Sequence, residues 1–254
     1  MIEVDRIYNE DCLQGMKRID DHSIDCIICD PPYGVLNKQN ENAKWDSLIP
    51  FEPMWEQFNR IKKENAPVLI FGQGMFTANL MLSNPKAWRY NLIWNKMLPV
   101  GFLNARRMPL RVHEDICVFY DKLPKFNPQM TKGSPNHSHG RNASECKNNC
   151  YGKMKKYEDR FSEEKFPKSI IDIAKVKKGN FHPTQKPVEL MRYLIRTFTN
   201  SGDVVLDCCF GSGSTILAAI LENRHYIGFE LDTDFFNKAS NRIEEVFENL
   251  YCVG

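Results

Sequence analysis

The sequence lacks a long apolar run: no stretch of its 254 residues approaches the about 20 consecutive apolar side chains that a membrane-spanning helix needs. It lacks an internal repeat, which excludes solenoid and propeller arrays. A signal-peptide pattern is lacking as well, since Met1-Ile2-Glu3-Val4-Asp5 is acidic where a signal peptide is basic and then apolar, so no secretory leader is expected. It has little net charge, +2 in all. Nine cysteines are present, but in a chain too long for a disulfide-stapled secreted module. Cys26, Cys29 and Cys117 fall inside apolar runs, and His137, His139, Cys146 and Cys150 match no standard zinc spacing. The expectation is a cytoplasmic protein with reduced thiols, no metal and no membrane contact.

What is present is ordinary globular composition, 42% hydrophobic and 26% charged, in a length that suits one large domain carrying a smaller insert. The small net charge hides an asymmetry. Residues 122–180 hold twelve Lys and two Arg against six acids, so this segment carries +8 and the remainder −6. Concentrated basic charge points to a polyanion partner; a solvated lysine-rich loop is the plain alternative.

Apolar patterning alternates between strand and helix, the signature of an α/β fold with a parallel sheet. Strands are expected at Val4–Tyr8, Ile24–Cys29, Val68–Phe71, Tyr90–Trp94, Ile116–Tyr120, Val204–Leu206 and Tyr226–Phe229. Helices are expected from Asp11 to Ile19, Pro53 to Lys63, Met75 to Leu82, Pro187 to Phe198, Ser214 to Glu222 and Phe235 to Leu250. The pattern breaks over residues 122–180, too long for an ordinary loop. This divides the chain into 1–121, an insert at 122–180, and 181–254.

Two motifs carry chemistry. Asp30-Pro31-Pro32-Tyr33 directly follows the apolar strand Ile24–Cys29. Prolines fix φ and cannot donate, so their carbonyls are held as acceptors. Asp30 adds a second acceptor and Tyr33 an aromatic face, a clamp suited to the exocyclic amine of a base turned out of its helix. In the C-terminal part, the strand Val204-Val205-Leu206-Asp207 leads through Gly211-Ser212-Gly213 into a helix opening at Ser214-Thr215. Glycines let backbone approach a ligand, and the helix start directs free N–H groups at it. The next strand ends at Glu230, about 20 residues on, where an acid suits a ribose diol. The plain alternative is a structural turn with a solvated acid.

Asp-Pro-Pro-Tyr paired with Asp-x-x-x-Gly-Ser-Gly resembles the amino-methyltransferases of DNA. The order, catalytic motif first, basic insert second and glycine motif last, is similar to the permuted beta group of adenine-N6 and cytosine-N4 enzymes, phage-type members in particular. His182-Pro183-Thr184-Gln185-Lys186-Pro187, Trp94-Asn95-Lys96 and His113-Glu114-Asp115-Ile116 look like segments of that group. The resemblance implies a doubly wound, mostly parallel seven-stranded sheet, S-adenosylmethionine as methyl donor and double-stranded DNA as substrate. It also allows a cognate restriction endonuclease as partner and a homodimer. In site residues it implies Asp30, Pro31, Pro32 and Tyr33 as catalytic, and Asp11, Cys12, Asp30, Thr184, Lys186, Asp207, Gly211, Ser212, Gly213, Thr215 and Glu230 around the cofactor. Asp rather than Ser at position 30 favours adenine N6 over cytosine N4 within the family. One departure stands out: the family places Pro-Phe after the aspartate of the glycine motif, whereas this chain has Cys208-Cys209, with Phe210 one place later.

Other residues carry two readings each. Cys208 and Cys209 are expected to be small packing residues, because amine methylation needs no covalent enzyme intermediate. His182 and Lys186 either meet a cofactor carboxylate or start a helix, and Trp94 and Lys96 either line a base pocket or serve as a core Trp and a surface Lys. Arg106, Arg107 and Arg111, with Lys153, Lys155, Lys156, Lys175, Lys177 and Lys178 of the insert, are expected to contact DNA phosphates, the insert being the candidate target-recognition region. Rival classes are a protein or RNA amine methyltransferase and a catalytically silent DNA-binding relative.

Overall fold

A computed structural model describes residues 2–34, 46–134, 162–176 and 184–251. Contacts divide the chain into two compact units, residues 1–127 with 169–254, and residues 128–168. In the smaller unit, β6 (Thr131–Lys132) and β7 (Glu164–Lys165) form a short antiparallel pair.

The larger unit is built on an eight-stranded sheet among the described residues. In chain order it contains β1 (Arg6–Asn9), α1 (Cys12–Gly15), β2 (Cys26–Cys29), α2 (Phe51–Ile61), β3 (Val68–Gly72), α3 (Met75–Ser83), β4 (Trp88–Val100) and β5 (Arg111–Phe119). After the smaller unit come β8 (Ile170–Asp172), α4 (Val188–Phe198), β9 (Val204–Asp207), α5 (Ser214–Leu221), β10 (His225–Glu230) and α6 (Thr233–Tyr251). The strand order is β1-β10-β9-β2-β3-β5-β4-β8. Strands β1, β10, β9, β2 and β3 run parallel, β5 is antiparallel to both its neighbours, and β8 runs parallel to β4.

Side-chain alternation along the strands feeds two cores. Ile27, Cys29, Val68, Ile70, Leu206, Ile227 and Phe229 face one way, onto the apolar sides of α1, α2 and α3. Cys26, Ile28, Leu69, Phe71, Val205 and Tyr226 face the other, onto α4, α5 and α6. This is the doubly wound α/β architecture that the family resemblance implied. The central strands are buried on both faces, which is why they read as continuous apolar runs. On α2 the buried residues are Met54, Trp55, Phe58 and Ile61, the face expected from spacing, although the helix starts two residues earlier, after Pro50.

Two features depart from the elements expected. An eighth strand, β8, lies within the segment 122–180 that showed no periodicity. Three residues are too few to display a period of two; β8 exists because Ile93, Trp94 and Asn95 of β4 pair with it. The expected helix from Asp11 to Ile19 is one α-helical turn followed by a 3-10 turn over Met16–Arg18. No helix among the described residues is long and apolar enough to cross a membrane.

Candidate active site

In doubly wound sheets ligands sit beyond the carboxyl ends of the strands, where successive crossovers leave on opposite faces. Here that point lies between β2 and β9, and the motif residues follow directly from those strand ends: Asp30 from β2, the Asp207–Gly213 turn from β9, Glu230 from β10 and Asp11 beyond β1. They border one cavity of about 340 Å³, within the size range of small-molecule sites.

One wall is the Asp-Pro-Pro-Tyr segment. The Tyr33 hydroxyl donates to Asp30 Oδ1 at 2.8 Å, and its ring packs on Phe76 with centroids 4.8 Å apart. The Lys186 ammonium donates to Asp30 Oδ2 and lies 3.2 Å from Glu114 Oε2. Lys96 completes the chain by donating to Glu114 Oε1 at 2.8 Å. Lys186 is only 5% exposed and sits over the ring of Phe71. Burial pushes the Asp30 carboxyl up to about 6; Lys186 opposes this and Glu114 adds to it. Burial acts to raise Glu114 as well, but Lys186 and Lys96 overcome it and hold that carboxyl below its usual value. Burial disfavours the Lys186 charge, yet Asp30 and Glu114 outweigh it, so the ammonium is retained.

The facing wall is the glycine turn. Glu230 accepts the Gly211 N–H at 2.9 Å through Oε2 and the Asp232 N–H at 2.8 Å through Oε1. Burial nevertheless pushes Glu230 up to about 7. Asp207 is 3% exposed and lifted well above its usual value by burial, although the Thr215 hydroxyl and the Cys209 N–H both donate to it. Gly213 has φ +75°, a left-handed conformation that glycine adopts at little cost, and places the first turn of α5 behind the cavity. Ser212 lies 3.2 Å from the Ser214 hydroxyl, which donates to the Lys186 carbonyl at 2.7 Å and so joins the two walls.

The structure therefore brings Asp11, Cys12, Asp30, Pro31, Pro32, Tyr33, Thr184, Lys186, Asp207, Gly211, Ser212, Thr215 and Glu230 around one cavity, while Gly213 caps α5 behind it. Asp11 also caps α1, accepting the Gln14 N–H at 3.1 Å. Phe210, one place later than in the family pattern, lines the cavity, packs on Phe236 and covers Gly228. Trp94 is a core residue, 2% exposed, whose indole donates to the Ile173 carbonyl. Lys96 is a buried partner of Glu114, not a surface lysine. Arg106, Arg107 and Arg111 are exposed on and beside the turn joining β4 to β5. Lys175 lies beyond β8, its N–H bonded to the Lys96 carbonyl. Lys153, Lys155, Lys156, Lys177, Lys178 and His182 lie outside the described residues, as do His137, His139, Cys146 and Cys150.

Among the cavity residues to which the sequence assigned no role are Glu114 and Gln185. Glu114 stood inside a quoted segment, and the available signal was a charge entering an apolar strand. Gln185 stood inside another; its Oε1 is buried with no hydrogen-bond partner among the described residues. That atom needs a donor, and seven carboxylates, Glu10, Asp11, Asp30, Asp46, Glu114, Asp207 and Glu230, border the same space. Such an acceptor-rich wall fits a ligand bearing hydroxyl and ammonium donors and a positive charge.

Residues 24–241 match the family model of N6/N4 DNA methylases. Among curated relatives, the type II methyltransferase M.HinfI of Haemophilus influenzae is 27% identical over 273 aligned positions, covering 96% of this chain and 69% of its own length. The type II methyltransferase M2.MboI of Moraxella bovis is 28% identical, covering 94% and 88%. Among solved structures, the M1.HpyAVI–SAM complex superposes with a TM-score of 0.62 at 22% identity, covering 94% of this chain and 98% of that one. The cytosine-N4-specific PvuII DNA methyltransferase superposes at 0.66 with 14% identity, covering 98% and 93%. The chain belongs to the N6/N4 family of DNA methylases, whose methyl donor is S-adenosylmethionine. It is a DNA amino-methyltransferase, and the acceptor-rich wall suits that donor's ribose diol, ammonium and sulfonium.

Proposed function

We propose that this protein methylates adenine N6 in duplex DNA, with Asp30, Pro31, Pro32 and Tyr33 as the residues that hold the target amine. The observation that carries the reading is the Asp30 carboxylate, fixed on one oxygen by Tyr33 and on the other by Lys186, across the cavity from the glycine turn. An adenine amine is a weak nucleophile because its lone pair is delocalised into the ring. Asp30 and the Pro31 carbonyl accept its two hydrogens, which favours a pyramidal nitrogen with a localised lone pair. When bound, S-adenosylmethionine supplies an electrophilic methyl group. Catalysis by the chain is then mostly alignment. A carboxyl raised to about 6 is also a better proton acceptor at neutral pH than a solvated aspartate, and it remains ionised there. Tyr33 supplies the aromatic wall for the flipped ring, a contact worth about 1–3 kcal/mol. Lys186 is a positioning residue for Asp30.

On the same reading, Glu230 accepts the cofactor ribose hydroxyls, and Asp11, Cys12, Thr184, Asp207 and the Gly211–Thr215 turn enclose the remainder. The exposed Arg106, Arg107 and Arg111 contact phosphates, and the basic segment 122–180 reads the target sequence. The type II methyltransferase relatives support pairing with a restriction endonuclease.

Cytosine N4 is the second reading, favoured by the likeness to the PvuII enzyme. Adenine is preferred because Asp30 begins the motif where cytosine enzymes resembling this group more often carry Ser. Incubation with S-adenosylmethionine and duplex DNA, followed by nucleoside mass spectrometry, is expected to yield N6-methyladenine. N4-methylcytosine would select the second reading, and methyl incorporation into RNA or protein instead would reject both.

A further inference from the structure

Four thiols converge beneath the cavity. Cys12 lies in α1, Cys29 ends β2, and Cys208 and Cys209 follow β9. The register that sets Cys26 beside Val205 and Ile27 beside Leu206, carried forward, brings Cys29 beside Cys208 and Asp30 beside Cys209. The Cys29 sulfur lies 2.8 Å from that of Cys208 and 3.2 Å from that of Cys209, while Cys208 and Cys209 are 4.0 Å apart. An isolated buried cysteine packs as a small hydrophobe, but three mutually touching sulfurs at a reaction centre are a reactive arrangement.

The sulfurs are not equivalent. Cys29 is buried away from the cavity and Cys208 is buried in its wall, whereas Cys209 lines it and is half-buried, the most open of the three to a small oxidant. The Cys209 sulfur is within hydrogen-bonding reach of the Cys208 and Cys29 thiols and accepts from the Asp30 backbone N–H, and the Lys186 charge is near. Together these outweigh burial and hold Cys209 well below the usual thiol range. Burial pushes Cys29 up, and contacts from Cys12, Cys209 and Cys29, with burial, do the same for Cys208. The thiolate is the attacking form of cysteine.

We propose that Cys209 is an oxidation site, at which a hydroperoxide forms a sulfenic acid that Cys29 then resolves to a Cys29–Cys209 disulfide, reversibly closing the methyl-transfer site. In the first step the Cys209 thiolate attacks one peroxide oxygen, the O–O bond breaks, and the departing hydroxide leaves as water after taking a proton. In the second the Cys29 sulfur attacks the sulfenyl sulfur, the S–O bond breaks, and the hydroxide departs as water with the Cys29 proton. Two thiols are oxidised and one peroxide is reduced. The separation must fall from 3.2 Å to about 2.05 Å. A shift of about 1 Å exceeds the roughly 0.5 Å tolerance of a working site. Cys29 immediately precedes Asp30, and Cys209 precedes Phe210 and Gly211, so both walls are displaced. A tetrahedral metal with bonds of about 2.3 Å would hold its thiolates about 3.8 Å apart, wider than the two short contacts; zinc binding is therefore the competing outcome.

The test treats the reduced full-length protein with hydrogen peroxide and maps cysteine peptides without reduction. A Cys29–Cys209 cross-link lacking two hydrogens is expected. In Cys29→Ser the cross-link is lost and dimedone labels Cys209; in Cys209→Ser neither product forms. Calorimetric affinity for S-adenosylmethionine should fall about tenfold or more on oxidation and return with dithiothreitol. Free Cys209 after peroxide, a cross-link that uses Cys208, stoichiometric zinc on these thiols, or unchanged affinity after cross-linking overturns the proposal. The affinity readout rests on the cofactor reading above, and the failures are separable: reduced protein that never binds the cofactor counts against that reading, while the cross-link map stands apart from it.

Discussion

Lys186 and Asp30 stand 156 residues apart in the chain and form an ion pair at the floor of the cavity. The pair is not isolated, since Lys186 also faces Glu114, which is held in turn by Lys96. A buried charge is tolerable when its partners and hydrogen bonds are in place. The outcome is a carboxylate with little freedom to rotate, pointed where the proposed amine must bind. Its position depends on strand ends β2 and β5 and on the segment just before α4.

Removing the charge at position 30 separates binding from chemistry. Asp30→Asn keeps the shape and loses the paired anion, so methyl transfer should fall below detection while calorimetry shows cofactor affinity within a few-fold of the parent. Retained methyl transfer would sink the assigned role.

On the proposed role Asp30 acts ionised, so the acid limb of the pH profile should lie near 6, the value to which burial pushes its carboxyl. Lys186 lowers that value, so Lys186→Met should move the limb to higher pH as well as reduce the rate. Single-turnover rates at saturating cofactor and DNA measure both. An unmoved limb would show that Asp30 is not the titrating group.

Glu230 titrates near 7 and is proposed to accept hydrogen bonds as the anion. Cofactor affinity should therefore weaken as pH falls below about 7. Glu230→Gln should lower it 10- to 100-fold, about 1.4–2.7 kcal/mol, because the amide nitrogen cannot accept. Isothermal titration across pH 6–8 checks both statements.

Asp25 is a structural acid of a different kind. Its side chain is 8% exposed, and it takes Lys63 at 2.7 Å, Lys125 at 3.5 Å and the Val204 N–H at 3.0 Å, pinning β2 to β9. Burial works to raise its pKa, but these donors prevail and lower it below 3.8. A lowered folded-state value means the stabilisation is present above about 3.8 and is lost as pH falls through the folded value. Asp25→Ala should cost about 1–3 kcal/mol at neutral pH by urea unfolding, and the difference from the parent should shrink in strong acid.

Arg106, Arg107 and Arg111 should act through phosphates. Replacing all three with Ala should weaken duplex binding on any sequence and reduce the slope of log affinity against log salt by about 2–3. Fluorescence anisotropy from 50 to 300 mM salt tests it. A change confined to the target sequence would instead assign these residues to base reading.

Buried central strands were legible because both of their faces are apolar, and α2 because Met54, Trp55, Phe58 and Ile61 recur on one side. The two motifs were legible because proline and glycine restrict the backbone locally. The eighth strand was not, since Ile170–Asp172 is specified by its partner β4 and not by its own pattern. Nor was the role of Glu114, Lys96 or Gln185. A charged or amide side chain looks the same in sequence whether it meets water or another buried charge.

By itself the sequence determined the alternation of strand and helix, the Asp30–Tyr33 motif after β2, the glycine turn before α5 and the order of those motifs, and with the order the family. These are properties of contiguous residues, set by backbone preference and apolar period. Tertiary structure alone decided that Lys186 serves Asp30, that Glu114 and Lys96 hold Lys186, and that Cys29 touches Cys208 and Cys209. Those relationships arise because a parallel sheet delivers distant strand ends to one edge, and burial there makes charges and thiols answer to one another instead of to water.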